Sequence, residues 1–263
     1  MTMNDGPRLV LQDRDRHLLR EIALMRVIDR EQAKVVAGFG STTRVNARLL
    51  ALVGAGLLRR YFLGTTAGGA KALYSLSEKG ARLADVPHRG FRRSRDQALV
   101  ADFFVQHQLA INEVYCALKY GRPPVATVSF RRWIAFQEPI RPGLRLIPDG
   151  YVEFQALSEA VAAFLEIDLG HERLKVWKQK IENYFQLALS GTFERQFGQK
   201  RFRTLIVAHS PARSQSIRRV AAPVTEKIFW FSDLDTVRRE GIFAPIWLRP
   251  REDRPQPLFR EMP

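Results

Sequence analysis

One cysteine in 263 residues leaves no disulfide framework, and with it go the small disulfide-stapled folds. Cys116 sits inside an apolar helical pattern with no histidine near it, the setting of a core thiol rather than a nucleophile. Long apolar runs are also missing. No stretch approaches the ~18 residues that a membrane helix needs, and residues 1–10 lack the charged-then-apolar plan of a signal peptide. These absences lead to the expectation of a soluble protein in a reducing cytoplasm, with no membrane partner. The five histidines show no metal spacing with cysteine. Ser210 lies in no G-x-S-x-G turn, so a hydrolase nucleophile elbow is excluded as well.

Acidic residues are scarce. Asp and Glu total 27 against 42 Lys and Arg, a formal charge of +15. Residues 1–95 hold 18 basic and 8 acidic side chains, a net +10, whereas the other 168 hold 24 and 19, a net +5. A basic excess concentrated in one third of the chain points to a polyanionic partner at that end. A GC-rich coding sequence would raise arginine everywhere and leaves the asymmetry unexplained. The length suits two domains, and 46% hydrophobic residues is enough to bury ordinary cores.

In the N-terminal third, Asp13 is placed to cap a helix over 13–26 whose inner face is Leu18, Leu19, Ile22 and Met25. Asp29 opens a short helix through 37, and Ser41 or Thr42 opens a third that ends near 54–56. Strands are predicted over 57–63 and 72–76 around a Gly-rich loop, and Ser77 caps a helix over 78–84. Helix, helix, helix, strand, turn, strand, helix is the order of a winged helix-turn-helix, assigned to residues 1–86. On the third helix Val45, Leu49, Leu52 and Val53 form one stripe. The opposite face carries Thr43, Arg44 and Ala47, flanked by Asn46 and Arg48. Arginine and asparagine match guanine and adenine edges, and Ala47 lets a helix sit deep in a groove. The amides of Ser41, Thr42 and Thr43 suit a phosphate at the helix N-terminus. Arg59, Arg60 and Lys71 around the hairpin, and Arg92 and Arg93 in a basic linker over 87–95, suit the DNA backbone. The competing reading is a solvated polar face used for protein contacts.

The segments DRDRHLLREIALMRVIDREQA, STTRVNARLLALVGAGLLRR and ALYSLSEKGARL carry a resemblance that HQLAINEVYCAL, IPDGYVEF and FLEIDLGHE extend. Together they resemble the replication-relaxation family of plasmid and mobile-element proteins over roughly residues 10–190. The pairing of winged-helix segments with PDG and LEID-G-E makes the resemblance specific. It implies a DNA-binding protein of a bacterial mobile element, nucleoid- or plasmid-associated, acting in replication control, DNA relaxation or transcription. Double-stranded DNA is the expected partner. A homodimer is expected because one winged helix buries little DNA surface and symmetric half-sites raise affinity.

For residues 96–250 the pattern predicts a helix over 96–120, strands over 128–136, 149–154 and 163–169, and a helix over 172–189. A strand over 204–209, a helix over 214–222 and a strand over 228–231 follow, and a loose tail over 251–263 ends the chain. The fold class is α/β, and the order resembles the restriction-endonuclease-like core of PD-(D/E)xK nucleases. In that family carboxylates hold Mg²⁺ and a lysine steadies the developing phosphorane charge. The resemblance implies Asp149 and Glu166 as metal ligands and Glu113 as a further acid. Asp168, however, stands where the family needs lysine. Lys178 on the following helix is a candidate substitute, and Lys180 with Tyr184 is similar to the Gln-x-x-x-Tyr pattern of helicase-associated nucleases. For Asp149 a plain turn role competes, since PDG suits a hairpin entry.

The sequence thus predicts a sequence-specific DNA-binding protein, a transcriptional regulator or replication-control factor, with a degenerate nuclease-like domain. No catalytic residue and no cofactor are expected. The alternative is a metal-dependent nuclease or nicking accessory that uses Glu113, Asp149, Glu166 and Lys178 with Mg²⁺.

Overall fold

Capping side chains start most helices of the N-terminal region where the sequence puts them. In the computed structural model, which describes residues 9–64, 69–88, 98–156 and 159–259, the first helix is α1 (Asp13–Met25). Its N-cap is Gln12 rather than Asp13, and the Gln12 N–H donates to Asp15 Oδ2 at 2.7 Å. Asp29 caps α2 (Arg30–Val36) by accepting from the Gln32 amide at 2.8 Å. Ser41 caps α3 (Thr42–Gly54) by accepting from the Arg44 amide at 3.2 Å. Ser77 does the same for α4 (Glu78–Ala84) through the Gly80 amide at 2.9 Å.

Between α1 and α2 lies a two-residue strand that periodicity is too short to reveal, β1 (Ile28–Asp29). It pairs antiparallel with β3 (Ala70–Leu76), which also pairs with β2 (Leu58–Gly64) from Leu58↔Leu76 to Gly64↔Ala70. The sheet order is β1-β3-β2. The rest of this element order is the one predicted from sequence.

Two compact units make up the chain, Met1–Cys116 and Ala117–Pro263. The sequence put the division at 87–95 and gave the long helix to the second unit. Most of that helix, α5 (Ala98–Tyr120), belongs to the first. Its polar side chains explain why. Asn112 Nδ2 donates to the carbonyls of Met25 (3.1 Å) and Val27 (2.6 Å), and the Tyr115 hydroxyl donates to Glu21 at 2.6 Å. The side chains of α5 thereby bind the backbone just where α1 ends.

The second unit is a sheet of order β4-β5-β6-β7-β8. The strands are β4 (Val128–Ile134), β5 (Gly150–Ala156), β6 (Glu159–Asp168), β7 (Phe202–Ala208) and β8 (Phe229–Asp233). β4, β5 and β6 are antiparallel, and β6, β7 and β8 are parallel. Parallel neighbours need crossovers. These are α6 (Leu174–Leu189) with α7 (Thr192–Phe197), then α8 (Pro211–Ala221); α9 (Leu234–Glu240) follows β8. The α/β class is as expected, and α7 and α9 were not foreseen. Trp177, Ile181, Tyr184 and Leu187 are the buried face of α6, packed with Phe164, Phe202 and Phe229 of the sheet.

The predicted loose tail needs correction over residues 251–259. Trp247 and Gln256 exchange backbone hydrogen bonds of 3.0 and 2.9 Å, and Leu258 and Phe259 are buried. The Phe259 ring meets Phe154 edge-on at 5.1 Å. Aromatic burial, invisible in a Pro- and Arg-rich composition, holds this segment down.

Candidate functional site

On α3, burial of Val45, Leu49 and Leu52 turns Thr43, Arg44 and Ala47 outward into solvent. Ser41, Thr42 and Asn46 are half-buried. The Ser41 hydroxyl oxygen accepts from the Arg44 amide as the helix cap, so that amide is already used. Arg59 and Arg60 are exposed on β2, and the Arg60 guanidinium lies over the Phe62 ring, 5.1 Å from its centre. Lys71 forms an ion pair with Asp29 and stays 45% exposed, so its charge is shared. Asn46, Leu50, Arg60 and Lys71 line one cavity of about 400 Å³. Arg92 and Arg93 lie outside the described residues.

Arg48 is a correction. Its Nε donates to Asp15 Oδ1 at 2.8 Å, and its Nη2 reaches Asp15 Oδ2 and the Val10 carbonyl. Asp15 is buried, and burial alone would raise its pKa; the Arg48 and Gln12 hydrogen bonds hold it below the usual carboxylate range. A guanidinium needed by a buried carboxylate is not available to read a base. Helical periodicity put Arg48 on the flank of the outer face, but that flank adjoins α1.

The second unit carries a buried ionic cluster. Alternation along β6 puts Glu166 and Asp168 on one face, as the sequence predicts, and that face meets α6. Glu166 is fully buried. Its Oε2 accepts from Lys180 Nζ at 2.9 Å and its Oε1 from the Tyr184 hydroxyl at 2.6 Å. Burial, reinforced by the nearby Asp149 charge and opposed by Lys180, pushes the Glu166 pKa up to about 7. Burial would lower the Lys180 pKa, but Glu166, Glu172 and Asp149 together outweigh it and hold the ammonium form. Burial beside Glu166 likewise keeps Tyr184 protonated. Asp149, at the entry to β5, accepts from the Ile167 amide at 2.7 Å while its own amide donates to Leu165 O at 3.1 Å. These two bonds tie the entry of β5 to β6.

Asp168 has a separate set of partners. Arg213 of α8 grips it in bidentate fashion at 2.8 and 2.9 Å, Trp177 Nε1 donates at 2.6 Å and the Gly170 amide at 2.7 Å. These donors overcome burial and hold its pKa below the usual value. Gly170 has φ +90°, and a Cβ there would come within 2.7 Å of the His209 ring, so the turn that delivers its amide requires glycine.

Lys178 is a second correction. It is exposed, and the lysine that meets Glu166 is Lys180. Glu113 belongs to the first unit, outside the unit that holds the cluster. Helical periodicity puts Trp177 on an apolar stripe but does not reveal its indole as a donor, and Arg213 has no local motif. Sequence reasoning did single out the Lys180–Tyr184 spacing, and an i, i+4 pair does share one helix flank.

Mg²⁺ asks for oxygens with free lone pairs, often one or two carboxylates together with substrate and water. Here both Glu166 oxygens are engaged by donors, one of them a cation. Among the described residues no group of three or more His, Cys, Asp or Glu gathers to hold a metal. The Lys180 ammonium on Glu166 and the Ile167 amide on Asp149 occupy one oxygen of each carboxylate, and no chemical step is assigned through the ion.

A sequence profile described as replication-relaxation matches residues 19–200. No curated protein matches the chain. Among solved structures, the restriction endonuclease FokI aligns at a TM-score of 0.32 and 12% identity, over 81% of this chain and 41% of FokI. The chain thus spans less than half of that enzyme's length, and so loose a superposition carries no weight for fold or activity.

Proposed function

This chain belongs to the replication-relaxation family, and from that premise we propose that it is a sequence-specific double-stranded DNA-binding protein. We assign it a role as transcriptional regulator or replication-control factor of a plasmid or mobile element, bound as a homodimer in the bacterial cytoplasm. The observation that supports this reading is the outward face of α3. Thr43, Arg44 and Ala47 stand in solvent beside a hairpin bearing Arg59 and Arg60, which we read as a winged helix. Arginine at that position suits guanine in the major groove, and the hairpin arginines suit phosphates. Selection of bound duplexes from a random-sequence pool tests it. Recovery of a shared, inverted-repeat motif supports the proposal, and a pool that emerges unenriched refutes it.

One observation favours a second reading, a nuclease or nicking accessory. Lys180 brings from α6 the ammonium that the strand position of Asp168 lacks. Against it stands the engagement of both Glu166 oxygens. Supercoiled plasmid incubated with the protein and Mg²⁺ or Mn²⁺ decides between them. Relaxed or linear product that disappears in Glu166→Ala establishes the nuclease.

A further inference from the structure

The outer ridge of α3 runs Thr43, Ala47, Leu50 and Gly54, at helical spacings of four, three and four. Its polar chemistry is confined to the N-terminal end, where Thr43 sits beside Arg44. Beyond that, the ridge presents only the methyl groups of Ala47 and Leu50. Leu50 is 47% exposed and turns away from the buried stripe of Val45, Leu49 and Leu52. Exposure of a single leucine needs no explanation. Its position does, because it lies in the row that would face base edges, and it lines the same cavity as Asn46, Arg60 and Lys71. That cavity also has acidic members, but Asp29 is paired with Lys71 and Glu31 with Arg30. Arg60 meanwhile rests its guanidinium on the Phe62 ring. The surroundings of Leu50 therefore keep one unbalanced cation, Arg60, and the Asn46 amide, which suits a phosphate-flanked groove better than another apolar protein surface.

Among major-groove base edges the one apolar group is the thymine C5-methyl. At ~1.5 Å of rise per residue, Ala47 and Leu50 are about 4.5 Å apart along the helix, little more than the ~3.4 Å between successive base pairs. We propose that Ala47 and Leu50 read thymine methyl groups, so that the preferred duplex carries thymine at one or two adjacent positions beside the base pair that Arg44 contacts. This rests on the DNA-binding reading above and specifies its substrate. Arg44 would supply the polar half of the readout and the Ala47–Leu50 ridge the apolar half.

The test uses the full-length protein and the tightest duplex recovered from a random pool, synthesised with thymine and again with deoxyuridine at each thymine position in turn. Deoxyuridine removes the methyl group and leaves every hydrogen-bonding group in place. Wild type is expected to lose about fourfold in affinity for each contacted methyl removed, the worth of one buried carbon. Leu50→Ala is expected to bind the thymine duplex more weakly and to lose most of the preference at one position. Because Leu50 is on the surface, the variant should fold, and circular dichroism checks it. Equal binding of thymine and deoxyuridine duplexes by wild type overturns the inference while leaving sequence-specific binding intact. An unchanged preference in Leu50→Ala overturns it too, as does a dimer that sediments as monomer in that variant, which would assign the leucine to self-association. If no duplex is enriched, the DNA-binding reading falls first and takes this inference with it.

Discussion

Lys180 Nζ lies 2.9 Å from Glu166 Oε2, with Tyr184 holding the other oxygen of the same carboxylate at 2.6 Å. A cation thus reaches this buried acid from a helix rather than from the strand position that Asp168 occupies. The pair sets how the second unit responds to pH. Glu166 keeps its proton up to about pH 7 in the folded chain, against about 4.5 when unfolded. Between those values the folded state binds one more proton than the unfolded state, so stability falls as pH rises. Below 4.5 both states are protonated and the contribution is complete; above 7 it is gone. Lys180 stays charged throughout and adds no slope.

Urea titrations from pH 4.5 to 7.5 should therefore show a loss of about 3 kcal/mol from this group as pH rises. Glu166→Gln keeps the shape and removes the titration, so its profile is expected to be flatter over that window. The lowered pKa values of Asp15 and Asp168 act elsewhere. Their stabilisation is complete above the ordinary carboxylate range and is lost only at more acidic pH. A slope in Glu166→Gln equal to that of wild type would show that another group titrates.

Asp168 does not behave as a lost catalytic lysine awaiting repair. Its four donors make it a structural anchor that ties β6 to α6 and α8. Arg213→Met should destabilise the second unit by roughly 3–5 kcal/mol, because an unpaired carboxylate would remain buried. Asp168→Lys should be worse, since it sets an ammonium against Arg213 and orphans the Trp177 indole. Calorimetry measures both, and a plasmid assay on Asp168→Lys should show no gain of cleavage. A gain would mean that the site needed only its lysine.

Much of this was legible from sequence where the governing physics is local. The caps at Asp29, Ser41 and Ser77 depend on one side chain and the amide three residues on. The shared face of Glu166 and Asp168 depends on strand alternation alone. The choice between Lys178 and Lys180 was not legible. The two flank the Trp177–Ile181 stripe on opposite sides, and which side meets β6 depends on how the helix docks on the sheet. Arg48 failed for the same reason, its flank being claimed by α1. β1, at two residues, exists only through its pairing with β3, and the tail is fixed by Phe154, a hundred residues away in sequence.

Arg44 and Arg48, four residues apart on one helix, should separate cleanly under mutation. Arg48→Ala leaves buried Asp15 with fewer donors and is expected to cost about 2–3 kcal/mol of stability. It should leave sequence choice unchanged in whatever protein remains folded. Arg44→Ala removes an exposed side chain, so stability should change by less than about 0.5 kcal/mol, while discrimination at one base pair relaxes. Thermal melts paired with binding of single-position duplex variants measure both effects. Reversal of the two outcomes would place the base-reading group on the α1 side of the helix.

Arg60 should act through phosphate alone. Its guanidinium lies over the Phe62 ring, 5.1 Å from its centre, which keeps the cation at the surface. A phosphate contact releases counterions, so each one lost reduces the slope of log affinity against log salt by about 1. Arg60→Ala should therefore weaken specific and random duplexes by the same factor and flatten both salt plots equally. Lys71→Ala should flatten them less, because part of that charge is already spent on Asp29. Affinities measured at several salt concentrations between about 50 and 200 mM resolve the difference. If Arg60→Ala instead weakens the specific duplex and spares the random one, the hairpin reads sequence, and the division of labour between α3 and β2 is the reverse of the one assigned here.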